Sequence, residues 1–404
     1  CLTATGRNDW DSRLAFSDYK SFFYPSIGLS AILTSMFNAP DWLTYLKVRG
    51  SYTEVGNSYG RFMTTVTYPY DEQTQSWTST SSYPNTKLKP ERTKSWEVGL
   101  DARILNDISL NLTYYRSNTY NQTFYADLSL SSGYSNIPIQ SGNIMNEGLE
   151  MSLGYNKQWK DFSFNTNYTL TWNKNRVKRL ADGVYNYATG QPIQMPELSP
   201  LTYGHTDARL ILRVGGSMGD VYGQRLLKRD LNGYILNEEG VGLAMENKET
   251  YLGSILPKMN MGWSLGFGYK GVNLGMTFTG RFGGIVISET QSVLDAAGVS
   301  KVSADVRDAG GVQINQSKVS AQTYYQTIQG TAAYYTYSAT NVRLGELSLS
   351  YTLPKKWFDN KVGMTVGLVG KNLWMIYCKA PFDPELTTSA ASNFYQGFDA
   401  YMLP

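Results

Sequence analysis

Cysteine and histidine are scarce in this sequence. Among 404 residues there are two cysteines, Cys1 and Cys378, and a single histidine, His205. Two cysteines form at most one disulfide, so a disulfide-stapled fold is excluded. Zinc sites that need several histidines or a cysteine–histidine set are excluded for the same reason. We therefore predict no resident metal and no cofactor.

Charged residues are also few, at 17% of the sequence against roughly 25% in a typical soluble domain. The 36 basic and 33 acidic residues nearly cancel, so no nucleic-acid partner is expected. The sequence contains no apolar run of about 18 residues, and a transmembrane helix is therefore not predicted. Aromatic residues make up 14% of the chain, which argues against disorder.

The sequence is rich in alternation between apolar and polar residues. Within 162–173, the residues Phe164, Tyr168, Leu170 and Trp172 alternate with serine, asparagine and threonine. A period of two places one set on each face of a β-strand, whereas a helix would scatter it around the axis. The same pattern predicts thirteen strands, over residues 1–7, 21–34, 44–55, 93–105, 108–118, 148–156, 162–173, 205–214, 220–227, 259–270, 272–281, 342–353 and 362–370.

The connections between these strands alternate between short and long. Short ones include Asn106–Asp107 and Gly271. Long ones lie at 56–92, 119–147, 174–204, 228–258 and 282–341. A soluble sandwich or propeller has no reason to collect its long loops at one edge. A transmembrane β-barrel does, because it has short periplasmic turns and long extracellular loops. We therefore predict an all-β fold, a transmembrane antiparallel β-barrel.

The two faces of the predicted strands suit a bilayer. Lipid cannot hydrogen-bond backbone amides, so only a helix or a closed sheet crosses it. The outward face must be apolar, while a water-filled or plugged lumen tolerates charge. Charged side chains fall on the second face, and those predicted to face the lumen or a plug are Glu97, Asp101, Arg103 and Glu150.

The predicted strand count is odd, whereas bacterial barrels of this kind close with an even number. The chain also starts abruptly and stops at Leu403–Pro404 after a long loop. We expect residues 1–404 to be the C-terminal portion of a longer barrel, with the last strand outside this chain.

Several ordered segments resemble the barrel of SusC/RagA-like TonB-dependent outer-membrane transporters. They include L-K-V-R-G-S-Y-T-E-V-G-N (Leu46–Asn57), L-K-P-E-R-T-K-S-W-E-V-G-L-D (Leu88–Asp101), A-T-N-V-R-L-G-E-L-S-L-S-Y-T-L-P (Ala339–Pro354) and A-P-F-D-P-E (Ala380–Glu385). The resemblance covers essentially the whole chain. It implies a 22-strand barrel whose plug and N-terminal extension are not in this chain.

The resemblance also implies a function and partners. It implies active import of oligosaccharides or oligopeptides across the outer membrane of a Gram-negative cell, energised through TonB. A SusD-like surface lipoprotein would cap the extracellular mouth, and two transporter–lipoprotein pairs could form a dimer. The alternatives are a passive porin or adhesin barrel, and a soluble carbohydrate-binding β-protein.

The long segment 282–341 is the preferred ligand or partner surface. Residues 293–306 are predicted to be helical, and tyrosines follow. Aromatic faces stack on sugars and tyrosine hydroxyls also serve peptides, so the ligand class stays open. The alternative is that these tyrosines only rigidify the loop. The candidate contacts are Tyr324, Tyr325, Tyr334, Tyr335 and Tyr337.

Two groups of acidic residues are predicted to have no metal-binding or catalytic role. Asp230, Asn232 and Glu238 resemble the remnant of a calcium loop, but Tyr234 replaces an expected ligand, so we predict a plain Asn-Gly turn. The carboxylates Asp383 and Glu385, and the adjacent Glu238–Glu239, raise the possibility of a glycosidase. No sequence feature holds such a pair across a cleft, so no enzyme is predicted.

Overall fold

A computed structural model describes residues 1–140, 142–180, 184–185, 192–193, 197–238 and 242–385. The strands of its two largest sheets are numbered along the chain: β1 Leu2–Trp10, β2 Ser21–Ile32, β3 Leu43–Asn57, β4 Glu91–Ile104, β5 Ile108–Tyr120, β6 Asn143–Trp159, β7 Phe162–Arg179, β8 Glu197–Thr202, β9 Ala208–Arg213, β10 Asp220–Leu227, β11 Met245–Ser254, β12 Met259–Tyr269, β13 Val272–Phe282, β14 Asn341–Thr352 and β15 Thr365–Cys378.

The dominant feature is an antiparallel sheet of eleven strands in the order β1–β7 followed by β12–β15. Each strand pairs with its predecessor and successor, apart from the pairing of β7 directly with β12. Strands β1 and β15 are the two edges of this open sheet. All long connections leave the sheet at one end, called here the long-connection end. The predicted all-β class and the alternation of loop lengths are confirmed.

The strand register places the apolar residues of neighbouring strands side by side on one face of the sheet and the polar residues on the other. One transverse row of paired residues across seven strands is apolar: Ala31, Val48, Leu100, Leu112, Met151, Leu170 and Met261. The adjacent row is mostly polar: Ser30, Arg49, Gly99, Thr113, Glu150, Thr171 and Asn260. A slip of one residue in any strand would mix the two rows, so the register is strongly specified. The face that contains the first row is called here the apolar face of the sheet, and the face that contains the second row is called the polar face.

Tight turns join three of the strand pairs at the other end of the sheet. Strands β12 and β13 are joined by Lys270 and Gly271, whose φ angles are 45° and 90°. Two consecutive positive φ angles define the turn whose twist matches that of a β-hairpin. Between β4 and β5, Leu105 and Asn106 also have positive φ angles, of 51° and 61°. Two longer connections lie at the same end, and each contains one 3-10 helix: Leu33–Ser35 between β2 and β3, and Lys355–Phe358 between β14 and β15.

Two of the thirteen predicted membrane strands are wrong. The segments predicted at 205–214 and 220–227 form β9 and β10, which belong to a separate four-stranded sheet in the order β8–β9–β10–β11. The strands β9 and β10 have six and eight residues, fewer than the roughly 9–11 that a tilted membrane strand needs. Both are buried at successive positions rather than alternate ones. The described residues between β7 and β12 therefore belong to one long connection, and a long connection that folds outside the eleven-stranded sheet is called here an excursion.

The excursion between β13 and β14 carries three α-helices: α1 Glu289–Ala296, α2 Lys301–Asp308 and α3 Ala321–Ile328. The helix predicted over 293–306 is present but is broken into α1 and α2. Among the described residues, no helix has the length and hydropathy required to span a lipid bilayer. The last strand, predicted at 362–370, is β15 and extends to Cys378.

Short elements complete the connections. The 3-10 helices are Ser12–Leu14, Leu33–Ser35, Leu130–Ser132, Ala332–Tyr335 and Lys355–Phe358. The two-stranded ladders pair Tyr70–Asp71 with Ser76–Trp77, Thr123–Asp127 with Asn136–Gln140, Val184–Tyr185 with Pro192–Ile193, Asn237–Glu238 with Gly242–Leu243, Ile285–Ile287 with Thr336–Ser338 and Val312–Ile314 with Ser317–Val319.

Glycine on the polar face makes room for long side chains to cross between strands. A Cβ atom at Gly148 would lie 2.5 Å from the carbonyl oxygen of Trp172 and 2.6 Å from the Tyr115 ring. With the glycine in place, the Tyr115 hydroxyl crosses to Asn173 Oδ1 at 3.0 Å.

Replacing Gly148 by alanine should therefore destabilise the sheet. We expect Gly148→Ala to lower the free energy of unfolding by about 1–3 kcal/mol, because backbone must move to accept the methyl group. Denaturant unfolding of the full-length protein in detergent measures this. The control is Gly28→Ala, since a Cβ there meets Ser51 at an ordinary 3.9 Å. Equal losses in both variants would contradict the explanation.

Candidate functional site

The polar face is held together by contacts that cross from strand to strand. Arg49 on β3 passes over Gly99 and donates from Nη2 to Thr113 Oγ1 on β5 at 2.6 Å. Lys47 lies 3.8 Å from Asp101 Oδ2, and Asn111 donates to the other oxygen of that carboxylate. These contacts tie β3, β4 and β5 together across the polar face, called here also the polar wall.

The four acidic and basic residues predicted to face a lumen or plug share this polar face. Glu97, Asp101 and Arg103 occupy alternate positions of β4, and Glu150 pairs with Thr113 in the polar row. Glu97, Arg103 and Glu150 are exposed, and the Arg103 guanidinium lies 5.8 Å from the centre of the Tyr45 ring. The structure brings the four together on one wall; their role against a lumen or a plug stays a prediction.

Further along the sheet the side chains on the polar face are small and mostly uncharged. Over most of their length these residues on β7, β12 and β13 are Ser163, Asn165, Asn167, Thr169, Thr171, Asn260, Gly262, Ser264, Gly266, Gly268, Asn273, Gly275, Thr277 and Thr279, and Arg281 adds one charge at the long-connection end of β13. Small polar side chains hold water without filling the space before them. The polar face therefore has a charged sector on β3–β6 and, apart from Arg281, a neutral sector on β7, β12 and β13.

At the long-connection end, two excursions pack into one body. It consists of the described residues 197–238 and 242–254 together with 283–340, and is called here the mouth unit. Ala208 and Val221 from the four-stranded sheet form one buried cluster with Ile287 and Ala332 from the other excursion. All four have at most 1% of their surface exposed. Burial of this kind joins segments far apart in sequence into one folded unit.

The single histidine forms a corner between the two excursions. His205, 2% exposed, accepts a hydrogen bond at Nδ1 from the Asp207 amide at 3.0 Å. Its Nε2 therefore carries the proton and donates to the Gln329 carbonyl at 2.8 Å. The Asp207 carboxylate accepts from Arg225 Nε at 3.1 Å and from the Ala332 amide at 3.0 Å. The role of this corner is structural, because it joins the two excursions. In the sequence, His205 lies within a predicted membrane strand, and its hydrogen-bond partners became visible only in the fold.

The five candidate tyrosines lie together, but as packing residues. Tyr325 and Tyr335 are 6% and 1% exposed in a cluster with aliphatic residues, and Tyr324, Tyr334 and Tyr337 pack half-buried against it. The Tyr335 hydroxyl is fully buried with no hydrogen-bond partner among the described residues. This packing favours the alternative in which the tyrosines rigidify the loop. Their contact with a ligand or partner stays a prediction.

The acidic groupings are held by local contacts. Asp230 Oδ1 accepts from the amides of Asn232 and Tyr234, both at 2.8 Å, in a turn where Gly233 has φ 85°. The predicted Asn-Gly turn is confirmed. Asp383 is bound in a bidentate ion pair by Arg343, at 2.8 and 2.7 Å. Glu239 lies outside the described residues.

The sequence also contains two G-x-S-x-G stretches, Gly56–Gly60 and Gly215–Gly219. In esterases this pattern forms a strand-to-helix elbow beside a histidine. Here Ser217 lies in the connection between β9 and β10, where its hydroxyl contacts Asn175 at 3.3 Å. Ser58 donates to Asp11. Neither stretch leads into a helix, and both His205 nitrogens are bonded elsewhere.

Comparison with known proteins assigns this architecture. Residues 2–373 match the family model described as "TonB dependent receptor-like, beta-barrel". The chain belongs to the TonB-dependent receptor β-barrel family. Barrels of this family lie in the outer membrane of Gram-negative bacteria, so the eleven-stranded sheet is assigned to that membrane. By the rule for such barrels, the long-connection end of the receptor is extracellular.

Named relatives and solved structures agree with the assignment. The receptor is 25% identical to "TonB-dependent receptor P3" of Formosa agariphila over 417 residues, covering 95% of this chain and 40% of that protein. It is 27% identical to "TonB-dependent receptor SusC" of Bacteroides thetaiotaomicron over 154 residues, covering 37% of this chain and 14% of that protein. The present chain thus spans two fifths or less of the length of these relatives.

The fold is also similar to that of a solved transporter. The RagAB peptide transporter structure superposes with a TM-score of 0.72 at 21% identity, over 95% of this chain and 43% of that chain. The sequence resemblance to SusC/RagA-like receptors is confirmed at the level of family and fold.

Removing Asp207 should loosen the corner of the mouth unit. Asp207→Ala leaves the buried Ala332 amide without an acceptor, and we expect a local loss of about 1–3 kcal/mol. Amide hydrogen exchange over 283–340 in the full-length receptor should become faster while exchange in the barrel strands stays unchanged. The matched control is Asp308→Ala, whose side chain is 76% exposed. Unchanged exchange in Asp207→Ala would refute the role of the corner.

The buried tyrosines predict alkaline sensitivity of the mouth unit. Burial, with Asp295 nearby, raises the pKa of Tyr337 to about 12 and that of Tyr335 further still. A tyrosine with a raised pKa adds stability below its unfolded pKa of about 10, and this stability is lost as pH rises further.

We therefore expect the mouth unit to lose stability between about pH 10 and pH 12, as followed by exchange or protease cleavage. Tyr337→Phe should flatten this dependence, and Tyr68→Phe, at an exposed tyrosine, should leave it unchanged. A pH dependence that is identical in all three proteins would contradict the assignment.

Proposed function

We propose that the full-length receptor is an active nutrient importer of the SusC/RagA type, taking up oligosaccharides or oligopeptides with energy supplied through TonB. The observation that carries this proposal is the continuous polar wall leading from the tight-turn end of the sheet to the mouth unit. Such a wall hydrates a wide passage, whereas the opposite face is apolar enough to meet lipid. Large polar solutes need both features.

A SusD-like lipoprotein is the proposed partner at the mouth. The mouth unit exposes apolar side chains that its own packing leaves uncovered: Leu231, Tyr234, Val299 and Val302 are 106%, 58%, 69% and 55% exposed. Exposed apolar groups of this kind favour a protein contact. The resemblance to SusC/RagA-like receptors, which implies a SusD-like lipoprotein, supports the same partner. We extend this to a dimer of receptor–lipoprotein pairs.

The test is uptake by the native bacterium. Cells that lack the receptor gene should lose uptake of a labelled oligosaccharide or oligopeptide that wild-type cells accumulate. Deleting TonB should abolish uptake equally, because import against a gradient needs energy coupling. Uptake that persists without TonB would instead establish a passive porin. Extraction of the receptor without detergent would establish the soluble carbohydrate-binding alternative.

A further inference from the structure

The mouth unit contains a cavity of about 520 Å³ that lies outside the barrel wall, among the three helices. It is bounded by the C-terminal end of α1, one side of α2 and the first turns of α3. Its volume lies within the range of roughly 300–1,000 Å³ that small-molecule sites occupy. The polar residues that line it are Asp295, Ser303, Arg307, Ser320, Gln322 and Gln326, and Tyr325 adds an aromatic ring.

Asp295 forms the closed end of this cavity. Its side chain is on a residue only 5% exposed, and Oδ1 accepts from Gln291 Nε2 at 2.6 Å and from the Ser300 hydroxyl. Among the described residues no donor is placed on Oδ2. Both donors orient the carboxylate, and the second oxygen is free to accept from a ligand. An acceptor oriented before binding gives a site its specificity.

Gln322 and Gln326 form the open end. Both are exposed and lie one turn apart on α3, with Tyr325 between them in sequence and 6% exposed. Amide side chains both donate and accept hydrogen bonds. Arg307, on α2, adds a donor that carries a charge opposite to that of Asp295. The cavity therefore offers acceptors and donors, with its fixed charges balanced.

This lining selects a ligand by chemistry. The aliphatic side chains around the cavity are alanines, so a bulky apolar amino-acid side chain finds no matching surface. Balanced charge does not favour a strongly cationic or anionic ligand. A neutral molecule with several hydroxyl groups satisfies the carboxylate and the amides, because a hydroxyl both donates and accepts hydrogen bonds.

We infer that this cavity is a saccharide-binding site, sized for one or two hexose units, on the extracellular side of the importer. The inference rests on the proposed function and names glycans as the class of solute captured at the mouth. It places the capture site in the loops rather than on the barrel wall.

The test uses the full-length receptor, purified in a detergent without a sugar headgroup. Calorimetry measures binding of neutral trisaccharides of glucose, galactose and mannose, with tripeptides as the comparison. We expect at least one trisaccharide to bind and to protect amides of 289–328 from exchange. Gln322→Ala/Gln326→Ala should weaken that binding by about tenfold, since two hydrogen bonds are lost. Alanine keeps α3 helical at both positions.

The control is Gln313→Ala, an exposed glutamine of the same excursion that does not line the cavity. Its affinity should match that of the wild type. An equal loss in the control, unchanged affinity in the double variant, or binding of tripeptides alone would overturn the saccharide site. None of these results would overturn TonB-dependent import, which the uptake experiment decides separately.

Discussion

The inability of hydrocarbon to hydrogen-bond a peptide group is the constraint on which the rest of this structure depends. It requires an antiparallel sheet in which each strand bonds its neighbours, and it requires that one face of every strand be apolar. The paired rows that contain Leu100 and Gly99 show the result, with lipid-compatible and water-compatible residues one position apart. Because register errors would reverse the faces, strand pairing and sidedness are set together.

The same constraint divides the molecule into regions with different freedom. At one end the connections are short, the tightest being two-residue turns such as Lys270–Gly271. At the other end the chain is outside the bilayer and folds as a water-soluble protein does. There the excursions bury apolar residues such as Val221 and Ile287 against one another. A conventional hydrophobic core thus stands on top of a sheet whose apolar residues face outward.

The polar wall combines close packing with open space. Arg49 and Tyr115 cross glycines and bond to residues on more distant strands, which locks the strands without projecting side chains away from the wall. The transition from charged residues on β3–β6 to mostly small neutral residues on β7, β12 and β13 gives the polar face two distinct surfaces. The mouth unit lies at the end of this polar face where the chain leaves the sheet after β7 and β13.

The sequence by itself determined the all-β class, the sidedness of the strands and the position of the long loops, because a period of two is a local property of consecutive residues. It could not separate β9 and β10 from membrane strands, since an apolar run reads alike whether lipid or protein covers it. Nor could it assign His205, whose partner Gln329 is 124 positions away. The roles of the tyrosines and the cavity floor at Asp295 were decided only by the tertiary structure, because burial and hydrogen-bond partners depend on which distant segments pack together.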